Sequence, residues 1–215
     1  MATDNKMAIW NAFDNNYWPA LYFIDAKGNI RHQQFGEGNY SESEKVIKQL
    51  LEEAGAKNVN HQLASVHADG PEVAADWSNL LSQENYLGEE RTANFIQGTG
   101  QIELNQWTLA GDWTIKRNNI ALKKTTGKII YRFHARDLHL VTGPANTNTV
   151  IRFRVLIDEK PPGLLHGSDI DQQGYGTVTA QRLYQLIRQS GTITDHQFEI
   201  EFLDPGVEAF SFTFG

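Results

Sequence analysis

Ile129-Ile130-Tyr131-Arg132-Phe133-His134-Ala135 alternates between apolar and polar side chains along its length. A period of two is typical of a β-strand that has one buried and one exposed face. Similar short runs with turn signals between them continue to the end of the chain, and they predict an antiparallel, jelly-roll-like β-sandwich. We predict strands at Ala93–Gln97, Gln106–Ala110, Trp113–Lys116, Ile120–Lys123, Ile129–Ala135, Leu138–Thr142, Val150–Ile157, Gly176–Ile187, Gln197–Phe202 and Phe210–Phe214.

The N-terminal quarter of the chain has a different pattern, with apolar residues at helical spacing on both sides of two strands. We predict a helix within Asp4–Phe13, a buried strand at Ala20–Ile24 and a second strand at Asn29–Phe35. Ser41 followed by Glu44 is a capping box, which predicts the start of a second helix that ends at about Gly55.

These patterns divide the chain into three parts and define a mainly β, α+β fold class. Residues 1–55 form an α/β unit, and residues 86–215 form the sandwich. Residues 56–85 form a structured connector, because the Gly/Ser repeats of a flexible linker are missing. Within the connector, Glu72–Leu81 is predicted to form a short helix with Val73, Trp77, Leu80 and Leu81 facing inward.

Composition excludes several classes of function. The chain has 215 residues and a formal net charge of -7, which argues against nucleic-acid binding through clustered Lys and Arg. No apolar run is long enough to span a bilayer, and Met1 is followed by a polar stretch instead of the apolar core of a signal peptide. Because the chain has no cysteine, it cannot by itself perform thiol chemistry or hold a thiolate-bound metal.

The segment from Tyr17 to Ile30, followed by Gly36-Glu37-Gly38, resembles the second half of a thioredoxin-like domain of the DipZ type. Residues 131–138, 153–158 and 202–207 resemble the C-terminal module of these proteins, which is similar to a jelly-roll carbohydrate-binding module. The segment that carries C-x-x-C in this family has no counterpart here, so the resemblance implies a fragment or a natural truncation. It also implies an extracytoplasmic location and a cis bond between Trp18 and Pro19, beside the substrate groove of the thioredoxin fold.

We therefore expect a non-catalytic binding or accessory portion of an extracytoplasmic thiol–disulfide redox protein, with a sandwich that binds carbohydrate. This interpretation assigns no catalytic residue and no cofactor to the chain. Two alternatives stay open. One is a thiol–disulfide oxidoreductase whose C-x-x-C half is absent from this chain, and the other is a structural or dimerisation domain.

Three aromatic residues near predicted turns or strand ends are the candidate sugar platforms, namely Trp107, Trp113 and Tyr175. Asp169 and Asp171 partly match a calcium loop, but Gln173 replaces the next acidic ligand, so a solvated turn is the favoured interpretation. The histidines are scattered, without the spacing of a metal motif.

His134 and His139 are expected on adjacent strands, where they could meet in space in a structural role. The pairs Asp158/Glu159 and Glu199/Glu201 are expected to be surface charge, because glycosidase carboxylates must face each other across a cleft.

In the truncated thioredoxin unit, the strand at Ala20–Ile24 would have an open edge and an apolar face. We expect another chain, a swapped element or the connector to cover it, and the sandwich is the alternative cover. A second copy of the chain or the missing thioredoxin half are thus the expected protein partners.

Overall fold

A computed structural model describes residues 4, 7–17, 19–36, 38–65, 73–98, 100–124 and 126–215. The chain folds into two compact units, Met1–Val66 and His67–Gly215. Among the described residues, no helix is long and apolar enough to cross a membrane.

The first unit contains two helices and one β-hairpin: α1 (Ala8–Ala12), β1 (Ala20–Ile24), β2 (Ile30–Phe35) and α2 (Tyr40–Glu53). Asp25 organises the hairpin turn, where its Oδ1 accepts hydrogen bonds from the backbone N–H groups of Lys27 and Asn29, each at 2.9 Å. Gly28 completes the turn in the left-handed region, with φ of 87°. Hydrogen bonds from Asn29 lower the pKa of Asp25 to about 2.

The capping box predicted for α2 is wrong. The helix begins at Tyr40, after Asn39 in a left-handed conformation that makes no side-chain capping bond. Ser41 therefore lies inside the first turn, and Glu44 accepts a hydrogen bond from the backbone N–H of Ala64 instead. Glu44 also forms an ion pair with Lys48, one turn further along the helix.

The second unit is a sandwich of antiparallel sheets, which confirms the predicted fold class. Among the described residues, one sheet has the strand order β10-β9-β12-β7-β4 and the other has the order β11-β8-β13-β6-β5, with β3 also paired to β13. The strands are β3 (Asn85–Tyr86), β4 (Trp107–Ala110), β5 (Trp113–Ile115), β6 (Ile120–Leu122), β7 (Gly127–Phe133), β8 (Asp137–Pro144), β9 (Ile151–Ile157), β10 (Tyr175–Val178), β11 (Arg182–Arg188), β12 (His196–Phe202) and β13 (Val207–Phe214).

Inward-facing aromatic side chains fill the space between the two sheets. Tyr131 on β7 contacts Phe212 on β13 at a ring-centroid distance of 5.0 Å. Phe198 on β12 meets the same Phe212 edge-on at 5.8 Å. Strict alternation along β7, β9 and β12 supplies the rest of this core, because every second residue faces the opposite sheet.

Three details differ from the sequence-based expectations. The period of two predicted for the strand Phe210–Phe214 is interrupted, because a bulge between Ala209 and Ser211 places Phe210 on the other face from Phe212. The described part of the connector forms turns where a helix was predicted, and Trp77 and Leu81 are exposed instead of facing inward. The single strand predicted at Gly176–Ile187 is divided into β10 and β11, which belong to different sheets.

We predict that Phe212→Ala lowers the free energy of unfolding of the sandwich by about 3–5 kcal/mol, because it deletes a fully buried ring that bridges both sheets. Urea unfolding followed by circular dichroism measures this change. Leu164→Ala is the matched control, since Leu164 is 82% exposed and its truncation should change stability by less than about 0.5 kcal/mol. Equal effects of the two substitutions would contradict the proposed core.

Alkaline pH should destabilise the sandwich through Tyr131. Burial raises the pKa of Tyr131 to about 12, with an opposing hydrogen bond from Asn85. The unfolded chain loses this proton near pH 10 while the folded chain keeps it, so stability is intact below pH 10 and falls by about 2–3 kcal/mol towards pH 12. Urea midpoints should therefore fall less steeply in Tyr131→Phe than in the wild type, and parallel declines would refute this assignment.

Candidate functional site

An open groove of about 720 Å³ lies at the end of the sandwich where β9 begins and β10 runs along the sheet edge. It combines one exposed aromatic ring with charged side chains of both signs. The residues that define it are Arg152, Phe153, Asp169, Asp171, Tyr175 and Arg182.

A tight turn holds Tyr175 in place at this groove. Asp171 Oδ1 accepts hydrogen bonds from the backbone N–H groups of Gln173 and Tyr175, at 2.9 and 2.8 Å. The backbone of Asp171 closes the turn through hydrogen bonds to Gly174 and Tyr175. The Asp side chain therefore organises local backbone, as is common in turns.

The same turn packs closely against β9. Gly174 has φ of 85°, and a Cβ at this position would lie 2.1 Å from the carbonyl oxygen of Val155. Only glycine fits this conformation and this approach. Gly174 thus brings β10 against β9, where Tyr175 pairs with Arg154 across the ladder. The Arg154 guanidinium lies 5.2 Å from the centroid of the Tyr175 ring, which is 47% exposed.

Two ion pairs form the charged rim of the groove. Arg182 donates to Asp169 at 2.5 Å, and the second oxygen of Asp169 accepts the backbone N–H of Gln185. Arg152 binds Asp204 through two nitrogens at 2.8 and 2.9 Å, and these contacts lower the pKa of Asp204 to about 2. The acids are held in fixed orientations, while the side chains of Arg152 and Arg182 stay 65% and 47% exposed.

Of the three predicted sugar platforms, the structure brings only Tyr175 to this groove. Trp107 is 1% exposed and its indole N–H donates to the carbonyl of Ala93, so it belongs to the core and has no free face for a sugar. Trp113 is half-buried, packs edge-on against Phe202 and donates to the carbonyl of Ala110. Both rings fill space between strands.

Asp169 and Asp171 lie at the groove, but their carboxylate oxygens accept hydrogen bonds from other groups of the protein, as described above. Among the described residues, no group of three or more His, Cys, Asp or Glu side chains could hold a metal ion. The structure thus places the two acids in a turn and an ion pair.

The two predicted histidine neighbours do not meet, because β7 and β8 belong to different sheets. His134 follows β7 and its Nδ1 lies 2.6 Å from Asp195 Oδ1. His139 lies on β8 and is buried, and this burial lowers its pKa.

Sequence reasoning missed the arginines of this groove. Arg152 and Arg154 occupy alternate positions on β9, a spacing that already places them on one face of the strand. The groove could not be predicted because it depends on the pairing of β9 with β10, and the periodicity of the sequence does not show which strands pair.

A different groove, of about 340 Å³, lies in the first unit between β1 and α2. It is apolar, and its principal lining residues are Tyr22, Phe23, Ile24, Ile47, Leu50 and Leu51. Pro19 directly precedes β1, where its carbonyl accepts the N–H of Gly36 at 2.9 Å. Trp18 lies outside the described residues, so the cis bond between Trp18 and Pro19 stays a prediction.

Comparison with known proteins agrees with this architecture. Residues 81–215 match the family described as "Thioredoxin like C-terminal domain". The whole chain is 30% identical, over 230 aligned residues, to Protein DipZ of Mycobacterium bovis and to Protein DipZ of Mycobacterium tuberculosis. It spans 30% of the length of these relatives. The chain therefore belongs to the thioredoxin-like C-terminal domain family and is DipZ-like over its full length.

Proposed function

We propose that this chain is the binding portion of an extracytoplasmic thiol–disulfide redox protein, without redox catalysis of its own, and that its sandwich binds carbohydrate in the groove beside Tyr175. The exposed Tyr175 ring carries this proposal. It is 47% exposed at an open groove, whereas the other two predicted platforms are used in packing.

The chemistry of the groove suits a sugar. The apolar C–H face of a pyranose ring stacks on an aromatic ring, while fixed hydrogen-bonding groups select among the hydroxyls. Asp169, Arg182 and Arg152 supply such groups. The Arg182–Asp169 ion pair and the pairing of Arg152 with Asp204 fix their orientation before a ligand arrives. A preorganised site loses less conformational entropy when it binds.

The redox and location parts of the proposal rest on kinship with the DipZ proteins. This chain has no cysteine, so any thiol–disulfide exchange must use thiols outside it. A carbohydrate-binding sandwich would then anchor the redox centre of the parent protein at a glycan-rich surface outside the cytoplasm.

A second function, docking of another polypeptide, is favoured by the first unit. Within its described residues, β1 pairs with β2 alone, so its other edge is open. The apolar groove beside it exposes Ile24, Ile47 and Leu51 by nearly half. An open strand edge next to an apolar surface recruits another chain. Its occupant is the C-x-x-C half of a thioredoxin-like domain or a second copy of this chain, which are the oxidoreductase and dimerisation alternatives.

We predict that the chain binds a subset of a glycan array and that Tyr175→Ala weakens the Kd for those glycans at least about tenfold. Loss of the stacking platform is the reason. Tyr175→Phe keeps the ring and should bind within about threefold of the wild type. Isothermal titration with the selected glycan measures both values.

Trp77→Ala is the matched control for this experiment, because Trp77 is another exposed aromatic residue of the same unit and does not line the groove. It should leave the Kd unchanged. Absence of any array binding would refute the carbohydrate proposal. If Trp77→Ala and Tyr175→Ala weakened the Kd equally, the groove beside Tyr175 would not be the binding site.

The dimerisation alternative predicts a dimer in light scattering that Leu51→Glu dissociates, since a carboxylate in the apolar groove would be buried unpaired at the interface. Leu63→Glu is the control, because Leu63 is exposed to a similar extent in the same unit but lies outside the groove. A monomeric wild type would rule out dimerisation.

We also expect no insulin reduction by this chain, because it has no cysteine. Reduction above background would contradict the assignment of the thiol chemistry to residues outside this chain.

A further inference from the structure

A hydroxyl, an imidazole and a carboxylate form a continuous hydrogen-bonded series at the start of β12. Thr194 Oγ1 lies 3.1 Å from His196 Nε2, and His196 Nδ1 lies 2.7 Å from Asp158 Oδ2. Asp158 comes directly after β9, the strand that pairs with β12. The antiparallel ladder thus brings together two residues that are 38 positions apart in the sequence.

Backbone hydrogen bonds hold the carboxylate in a fixed orientation. Asp158 Oδ1 accepts the N–H of Gln197 at 2.9 Å, and the N–H of Asp158 donates to the carbonyl of Gln197 at 2.9 Å. Asp158 has φ of 48°, a left-handed conformation that these bonds stabilise. Burial raises the pKa of Asp158, but the hydrogen bonds from Gln197 and His196 outweigh it, so the pKa lies below its usual range.

The backbone of Thr194, which carries the hydroxyl, is fixed by Gln189. The buried side-chain amide of Gln189 accepts the N–H of Thr194 at 3.1 Å and donates to the carbonyl of Thr194 at 2.9 Å. Thr194 itself is exposed, and His196 is mostly covered. A substrate can therefore reach the hydroxyl, while packing restricts the imidazole.

The proton positions follow from this geometry. A carboxylate only accepts hydrogen bonds, so the single proton of a neutral imidazole at this position belongs on Nδ1, where it points at Asp158. His196 Nε2 is then the acceptor and takes a hydrogen bond from the Thr194 hydroxyl. This is the arrangement in which an imidazole acts as a general base on a hydroxyl nucleophile, with the carboxylate fixing the tautomer.

We propose that Thr194, His196 and Asp158 form a hydrolytic site for acyl esters. Thr194 Oγ1 attacks the acyl carbon and its proton passes to His196 Nε2, as the bond between that carbon and the leaving oxygen breaks. The leaving alcohol takes up the proton. Water, deprotonated by the same imidazole, then attacks the acyl-threonine, which releases the carboxylic acid and restores the hydroxyl.

This site is separate from the carbohydrate groove. Arg152 of the groove lies at the start of β9 and Asp158 follows its end, about 20 Å apart at the rise of an extended strand. Ester hydrolysis therefore does not depend on the proposed sugar binding, and the failure of one proposal leaves the other intact.

Hydrolysis of p-nitrophenyl acetate by the purified chain tests the proposal. We expect turnover by the wild type, a rate lower on the order of 10²-fold in Thr194→Val and in His196→Gln, and retention of most of the rate in Thr194→Ser. Mass spectrometry of the acid-quenched reaction should find an acetyl group on the peptide that contains Thr194. Urea midpoints establish that each variant is folded.

His134→Gln is the matched control, because His134 forms a histidine–aspartate pair of similar length with Asp195 in the same unit. It should hydrolyse the ester at the wild-type rate. The proposal is overturned if the wild type shows no turnover, if Thr194→Val retains the full rate, or if His134→Gln loses as much activity as His196→Gln.

Discussion

Contact between the inward-facing aromatic rings of the two sheets is the interaction on which the rest of the sandwich depends. Tyr131 and Phe198 come from one sheet and Phe212 from the other, so their rings join the two layers. A slip of one residue in any of these strands would turn its aromatic face outward. Burial of the rings therefore fixes the strand register, and the register fixes what lies at the strand ends.

Both candidate sites follow from that register. β9 and β12 are antiparallel neighbours, so the end of one strand lies beside the start of the other. At one end of β9, the ladder places Arg152 beside the groove that contains Tyr175. At the other end, the same ladder places Asp158 beside His196. The strands hold the two sites at a fixed separation. The polar side chains of both sites lie at strand ends, where the apolar core ends and the surface is exposed to water.

Alternation made much of this fold predictable from the sequence. The inward set on β7 was identified because Tyr131 and Phe133 recur with a period of two and every second residue is buried. The bulge that turns Phe210 outward was not predictable, because it depends on how β13 fits β8 and not on the identity of the residue. Similarly, the pattern at Ser41 predicted a capping box, but α2 begins after Asn39, which has a left-handed conformation.

The candidate sites were less predictable, since they depend on pairing between distant strands. Tyr175 could be named as a platform because it stands beside a turn, but the burial of Trp107 emerged only from its place between β7 and the segment at Ala93. The Thr194–His196 spacing of two places both side chains on one side of an extended chain. Nothing in the sequence indicates that Asp158 is their neighbour, because only the pairing of β9 with β12 brings it there.

The two units bury their apolar side chains to different degrees, and this difference bears on how the chain works. The sandwich has a continuous core of fully buried apolar side chains. Among the described residues of the first unit, the buried side chains are Asn15 and Ser43, and no apolar side chain is fully buried. Removing apolar surface from water stabilises a fold by about 25 cal/mol per Å², so exposed Ile24, Ile47 and Leu51 represent stabilisation that this unit does not gain by itself.

A polypeptide that covers β1 and α2 would provide that stabilisation and would pair the open edge of β1 in the same step. The core of the sandwich is already filled by apolar side chains from its own two sheets. We therefore infer a division of roles in which the first unit is completed by docking, while the sandwich presents its groove and its strand ends to small ligands.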